Sequence, residues 1–334
     1  METSSRPSGS YIDQLLGSIH ARVIGDNNGE LASYIPELAN ADANQFGVAI
    51  ATANGKLYSH GNVDTKFTIQ SISKALTYCL VLELKERQDV FARVGVEPSG
   101  DPFNAIEFDA RTNRPYNPMV NAGAITVAGI LRDELGSDAF DFVLNRFSEA
   151  AGRPLALNEK VYLSEVRTGH RNRAIGHLLL GMGALTDHCD EAVDLYFRQC
   201  SIDVDTVSLA TIGATLANLG ENPFTGKQVF DVGAVRDTLA VMFTCGMYDY
   251  AGNWAFDVGV PAKSGVGGGI LGIVNRQLGI GTYSPRLDRN GNSVRGLAAF
   301  KALSDELGLH AFDPTNAGSS LVESFFRDAP VQGT

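Results

Sequence analysis

Ser71 and Lys74 stand three residues apart in Ser71-Ile72-Ser73-Lys74, and far along the chain Lys263-Ser264-Gly265 runs into a series of glycines. An S-x-x-K followed by a K-S-G suggests a serine nucleophile activated by lysine. A serine hydroxyl is a poor nucleophile alone and needs a base beside it. The stretch from Gln70 to Leu84 is mostly apolar on a helix-compatible face, which sets Ser71 and Lys74 one turn apart as neighbours. Ser73 is the internal rival, but on a helix it points away from Lys74. A lysine near its reference pKa of about 10.4 is a cation and cannot accept a proton; bringing it to about 7 takes roughly 3 units, or about 4 kcal/mol, from burial and a second cation. Lys263 is the candidate second cation. Acyl transfer also needs donors aimed at the developing oxyanion, and Gly265-Val266-Gly267-Gly268-Gly269 offers backbone N–H groups with almost no side chains in the way. Each feature also has a structural reading: a solvated helix lysine, an edge-strand lysine, a glycine kink.

These residues need elements to hold them. Ser10 to Ile24 has helical periodicity, with Ile12, Leu15, Leu16, Ile19 and Val23 on one face. Phe46 to Ala51 reads as a strand, Asn54-Gly55 as a type I′ turn and Lys56 to His60 as the returning strand. From Gln70 to about Cys245 helices dominate: Asn121 to Leu135, Asp138 to Ala150, Arg173 to Gly183, Asp190 to Cys200, Val204 to Leu219 and Val232 to Met242. Trp254 to Val260, Gly269 to Val274 and Leu278 to Tyr283 then read as short glycine-punctuated strands, and Ser293 to Leu307 as a final helix. Strands at both ends and helices between predict one sheet built from the hairpin plus three late strands, with a helical domain inserted. The expected division is 1–70 with 246–334 for the sheet domain and 71–245 for the helical one, with Ser71 at the junction where ligand clefts form. The tail after Pro314 is expected to be loosely ordered.

The 334 residues suffice for a large core without disulfide staples. A net charge of −11 disfavours nucleic acid or an anionic membrane as partner. The N-terminus shows no secretory signal, and the apolar run Ala75 to Leu82 is far short of a membrane span. Cys79, Cys189, Cys200 and Cys245 form no C-x-x-C and read as free thiols of a reducing, cytoplasmic compartment. Asp187-His188-Cys189 has metal-ligating residue types, but a helix start with a solvated histidine is the plainer reading, so no catalytic metal or cofactor is expected.

Polar clusters recur where helices should end: Asn117 to Ala124, Ser164-Glu165 with Arg171-Asn172, Tyr196, and Cys245 to Tyr250. Singly they are an N-cap, a solvated acid and a core tyrosine. Through Tyr34-Ile35-Pro36-Glu37-Leu38, Ser71 to Lys74, Glu97-Pro98-Ser99-Gly100, Asn117 to Ile125, Tyr196 to Ser201, Cys245 to Gly252, Ala262 to Ile270 and Asn290 to Gly296, in order, the chain from about Ser10 to Phe312 resembles the serine-dependent glutaminases. That resemblance implies the α/β (α+β) class, a β-lactamase/transpeptidase-like fold: a five-stranded antiparallel sheet flanked by helices plus an inserted all-helical domain.

It further implies hydrolysis of L-glutamine to L-glutamate and ammonia without a cofactor, in a homodimer or homotetramer. Matched residue by residue, Ser71 resembles the nucleophile, Lys74 its base, and Tyr248 and Tyr34 the active-site tyrosines, Tyr248 relaying a proton to the leaving ammonia. Asn121, Glu165, Asn172, Tyr196 and Tyr248 resemble the glutamine-binding set, and Val266 the backbone donor that completes the oxyanion site with Ser71. The chemistry is coherent: a free amino acid brings an ammonium suited to Glu165 and a carboxylate suited to amide and phenol donors. Three other readings stand beside it. A β-lactamase or D,D-peptidase would share both lysine motifs, but the S-D-N or Y-x-N triplet and a signal are missing. A binding protein that kept only the fold is the second, and a hydrolase of asparagine or another small amide the third.

Overall fold

A computed structural model describes residues 10–33, 35–100, 106, 108–109 and 111–313. Its helices are α1 (Tyr11–Val23), α2 (Ser73–Leu84), α3 (Arg87–Arg93), α4 (Asn121–Leu135), α5 (Ala139–Ala151), α6 (Glu159–Thr168), α7 (His170–Gly181), α8 (Cys189–Cys200), α9 (Thr206–Ala217), α10 (Val232–Cys245), α11 (Ala251–Asp257) and α12 (Val294–Leu307). The strands are β1 (Gly47–Thr52), β2 (Leu57–Gly61), β3 (Phe67–Thr68), β4 (Ala156–Leu157), β5 (Ile202–Val204), β6 (Ala262–Ser264), β7 (Gly269–Val274) and β8 (Leu278–Tyr283). Five of them form an antiparallel sheet in the order β2-β1-β8-β7-β6, and the short β3, β5 and β4 form a second sheet. Helices flank the large sheet, as expected. The tail from Pro314 lies outside the described residues.

Polar caps set where several helices begin. Ser10 and Asp13 form a reciprocal capping box on α1, and the side chains of Asp205, Asp231 and Ser293 accept N–H groups in the first turns of α9, α10 and α12. On one face of the sheet, α1, α11 and α12 bury Leu16, Ile19, Trp254, Phe300 and Leu303 against Val48, Ile50, Ile270 and Ile280. On the other face lies α9, every residue of which is buried. Its close approach needs glycine: a Cβ on Gly279 would lie 2.2 Å from the backbone of Gly213 and Ala214, and one on Gly281 2.5 Å from Thr206 O. Backbone cannot step aside as a side chain can, so Gly279→Ala is expected to destabilise the fold by about 3 kcal/mol, the upper end for overpacking. A denaturant melt yielding less than 1 kcal/mol, roughly the lower end, would contradict this packing.

Three expectations are corrected. Trp254 to Val260 is not a strand: it is the end of α11 with the turn after it, and the fifth strand is Ala262–Ser264. A strand would put Trp254, Phe256 and Val258 on one face. Instead Trp254 and Val258 are buried and Phe256 is 85% exposed, the i, i+4 pattern of a helix. Asn54-Gly55 is not a type I′ turn, because only Gly55 of the pair has positive φ; Gly55 N–H donates to Thr52 O and Thr52 N–H to Lys56 O, a longer loop with glycine alone in the left-handed position. Finally, Asn121 does not cap α4; Val120 holds that position and Asn121 is the first helical residue.

Candidate active site

The chain enters the site through the small sheet. Phe67 and Thr68 pair with Val204 and Asp203, and Ile69 N–H donates to Ile202 O. Gln70 then takes φ +48°, left-handed backbone that costs a non-glycine residue about 1–3 kcal/mol and collects at functional sites. The next residue is Ser71, in a short 3₁₀ turn that leads into α2. The sheet's edge runs close by. A Cβ on Gly265 would come 2.9 Å from Ile69 O and one on Gly267 2.7 Å from Thr68 O, so these glycines let the chain after β6 press on the turn that carries Ser71. Val266, buried between them, makes no hydrogen bond through its N–H to another described residue.

Two lysines near the serine turn are fully buried. Lys74, on α2, donates to Asn121 Oδ1 at 2.7 Å and Met119 O at 3.3 Å. Both acceptors are positioned by the turn before α4. Asn117 donates to Glu97 O and accepts from Met119 N–H, and Gly123 lets that turn close: a Cβ there would sit 1.9 Å from Asn117 O. Burial lowers the Lys74 pKa to about 8 although the nearby thiol of Cys200 and carboxylate of Glu165 oppose the shift. Lys263, on β6, donates to Ser264 O at 2.7 Å and lies 4.2 Å from the centre of the Tyr248 ring. Burial and then the charge on Lys74 push its pKa well below the usual lysine range. The expected direction of help is thus reversed. Burial depresses Lys74, and Lys74 helps to depress Lys263.

Tyr248 joins the halves. It also has left-handed backbone, φ +58°; its hydroxyl donates to Ser264 O at 3.0 Å and lies within hydrogen-bond reach of the Ser71 side chain. Burial raises its pKa, so the phenol keeps its proton. Ser73 turns elsewhere, donating to Gln70 O at 2.7 Å and accepting from Gln199 Nε2 at 3.3 Å. Those bonds tie the start of α2 to the end of α8.

A second polar arc faces this group. Asn121 Nδ2 donates to Asn172 Oδ1 at 2.9 Å, Tyr196 OH donates to Asn121 Oδ1 at 3.3 Å, and Lys74 Nζ lies 5.8 Å from the centre of the Tyr196 ring. Glu165 comes from α6, a helix absent from the sequence-based expectation, and is buried. Its pKa rises to about 7, because burial outweighs a hydrogen bond from Gln70 and the charge of Lys74. A carboxylate in that position is poised for a cation. Ser71, Lys74, Asn121, Glu165, Asn172, Tyr196, Tyr248, Lys263 and Val266 therefore meet in one region, while Tyr34 lies outside the described residues. Cavities of about 340 and 320 Å³ adjoin the region, one beside Met119 and Tyr248 and the other beside Thr68 and Val266.

Sequence reasoning missed Gln70. Its amide donates to Thr68 Oγ1 at 3.1 Å and bonds Glu165, linking the serine turn to the buried acid. Adjacency to Ser71 was its only signal. Cys200 was also missed as a neighbour of Lys74; burial pushes its thiol up to about 12, which keeps it neutral.

Residues 29–312 match the family model described as Glutaminase. The chain is 47% identical over 327 residues to Glutaminase 2 of Bradyrhizobium diazoefficiens, covering 98% of this chain and 52% of that one, so it spans about half that relative's length. The solved structure of the probable glutaminase ybaS superposes with a TM-score of 0.87 at 41% identity, covering 90% of this chain and 98% of that one. A probable glutaminase from Bacillus subtilis complexed with 6-diazo-5-oxo-L-norleucine gives 0.82 at 33% identity, with 92% and 99% covered.

Proposed function

Since the chain belongs to the glutaminase family, we propose that it hydrolyses the side-chain amide of L-glutamine, giving L-glutamate and ammonia through a γ-glutamyl ester on Ser71. The observation that carries this reading is that Ser71, Lys74, Lys263 and Tyr248 are all buried, with Lys263 Nζ 4.2 Å from the centre of the Tyr248 ring and Tyr248 beside Ser71. Ser71 Oγ attacks the amide carbon and gives up its proton to the lysine and phenol network. The oxyanion is held by the N–H groups of Ser71 and Val266. The C–N bond breaks as Tyr248 delivers a proton to nitrogen, and ammonia leaves. Water then repeats the sequence on the ester, releasing glutamate and restoring the Ser71 hydroxyl. Burial alone makes Lys74 a usable base, since a pKa of about 8 leaves a fraction of it neutral at pH 7.

Substrate choice follows from the second arc. Glu165 receives the α-ammonium, and Asn121, Asn172 and Tyr196 present amide and phenol donors to the α-carboxylate. Peptides lack those two charges and leave buried polar groups unpaired. The Bacillus relative's ligand is an L-α-amino acid with a carbonyl at the position of glutamine's amide carbon, which supports a zwitterion site of this kind. The family resemblance adds a homodimer or homotetramer to the proposal, with light scattering as its check. The described cysteines are all free, which supports a reducing cytoplasmic setting, and among the described residues no helix is long and apolar enough to cross a membrane.

Two measurements test the proposal together. Purified enzyme releases ammonia from L-glutamine with a kcat/KM at least about tenfold above that for L-asparagine, the lower range for a one-methylene difference. Incubation with 6-diazo-5-oxo-L-norleucine adds mass to the peptide containing Ser71. Equal turnover of asparagine would overturn the substrate, and mass added elsewhere would overturn the nucleophile.

A further inference from the structure

Away from this site, α7 and α8 bring a second set of reactive side chains together. The helices cross closely at Gly176, where a Cβ would lie 2.8 Å from Val193 Cγ2 and 3.9 Å from Cys189 O. The next residue, His177, thereby reaches the start of α8. Its Nδ1 lies 3.5 Å from Cys189 Sγ and its Nε2 4.0 Å from Asp190 Oδ1. One ligand atom from each of the three lies within 4.8 Å of the others. Sequence adjacency nominates His188 as the partner of Cys189, but His188 turns toward Glu191 at 3.7 Å. The fold supplies His177 instead.

We propose that His177, Cys189 and Asp190 bind a borderline divalent cation of the zinc type. The spacing supports it. With Zn–S near 2.3 Å and Zn–N near 2.0–2.1 Å, two ligands on a tetrahedral ion stand about 3.6 Å apart, close to the separation of Cys189 Sγ and His177 Nδ1. Little rearrangement is needed. The Asp190 side chain is 80% exposed and turns freely to become the third ligand, and water completes the tetrahedron. Cys189 is buried while His177 is 62% exposed, so the ion enters from solvent and meets the sulfur at the floor of the site. Thiolate, imidazole and carboxylate together select zinc-type ions over magnesium or calcium, which require oxygen ligands.

The ligands bracket the connection from α7 to α8. A bound ion therefore ties the end of one helix to the start of the other, and these helices carry Asn172 and Tyr196. It acts as a staple on that pair and takes no part in the serine chemistry.

The test is titration of the reduced full-length chain with cobalt(II), followed by competition with zinc(II). The wild type is expected to show one saturable thiolate-to-cobalt charge-transfer band per chain, bleached by one equivalent of zinc. Cys189→Ser abolishes the band. His177→Gln and Asp190→Asn, both at exposed side chains and checked for native circular dichroism, each weaken binding by more than about 10-fold, the least that loss of even an outer partner costs. No saturable band, a band that survives Cys189→Ser, or one untouched by both exposed variants would overturn the site. If Cys189→Ser fails to fold, the two exposed variants decide alone.

Discussion

Replacing Ser71 by alanine is expected to lower kcat for ammonia release from glutamine by roughly a millionfold, the loss found when the nucleophile of a coupled serine apparatus is removed. The size follows from the arrangement. Ser73, the other serine of the motif, is committed to Gln70 O and Gln199. Ser73→Ala should retain measurable turnover, and Tyr248→Phe should fall between them, losing about 10²- to 10⁴-fold as a proton relay. Rates of ammonia release under saturating glutamine, with mass spectrometry for the acyl enzyme, separate the three. Near-native turnover by Ser71→Ala would end the nucleophile assignment, and equal losses in the Ser71 and Ser73 variants would point to a structural cause.

The second large effect is on substrate capture. Glu165→Gln keeps shape and hydrogen bonding but removes the charge that faces the substrate ammonium. Leaving one member of a buried charge pair alone costs about 2–5 kcal/mol, or roughly 30- to several thousandfold in kcat/KM, with KM carrying most of it. Its pH dependence has a definite sign. Below pH about 7 Glu165 is protonated and cannot pair with the ammonium, and below about 8 Lys74 is charged and cannot accept the Ser71 proton. In the wild type, log kcat/KM should climb with a slope near 2 below pH 7, near 1 from 7 to 8, and flatten above. Glu165→Gln removes the lower break. It also moves the upper break downward, because the charge of Glu165 holds the Lys74 pKa up. An unchanged profile in that variant would exclude Glu165 as the ammonium site.

The proposed reacting residues were readable because their types are costly to place without a use. Ser71, Lys74 and Lys263 occur in short motifs, and the sheet's strands at the two ends of the sequence carry apolar runs with glycine punctuation. What stayed hidden depends on distant partners. Glu165 sits on α6, whose exposed Leu163 and mixed polarity blur the helical period. The strands β3 and β4 have two residues each, too few for alternation to register. Trp254, Phe256 and Val258 alternate as a strand should, and only their unequal burial reveals the helix. The left-handed Gln70 follows from pairing at Ile69 on one side and helix entry on the other, neither of which is a property of glutamine.

The pairing of β1 with β8 sets Ala49 opposite Gly281, so an early segment of the chain waits for a late one. Lys263, Ser264 and Val266 all lie beyond the helical region, on the arm that must come back across the molecule before any of them meets Ser71. Contacts of such wide sequence separation form slowly, and the chain is made from its N-terminus. On the ribosome, then, α2 and Ser71 are made long before Lys263 or Val266. Under the proposed reading the site is complete only once the sheet has closed, and a nascent or truncated chain that stops before β6 has Ser71 without Lys263 or Val266.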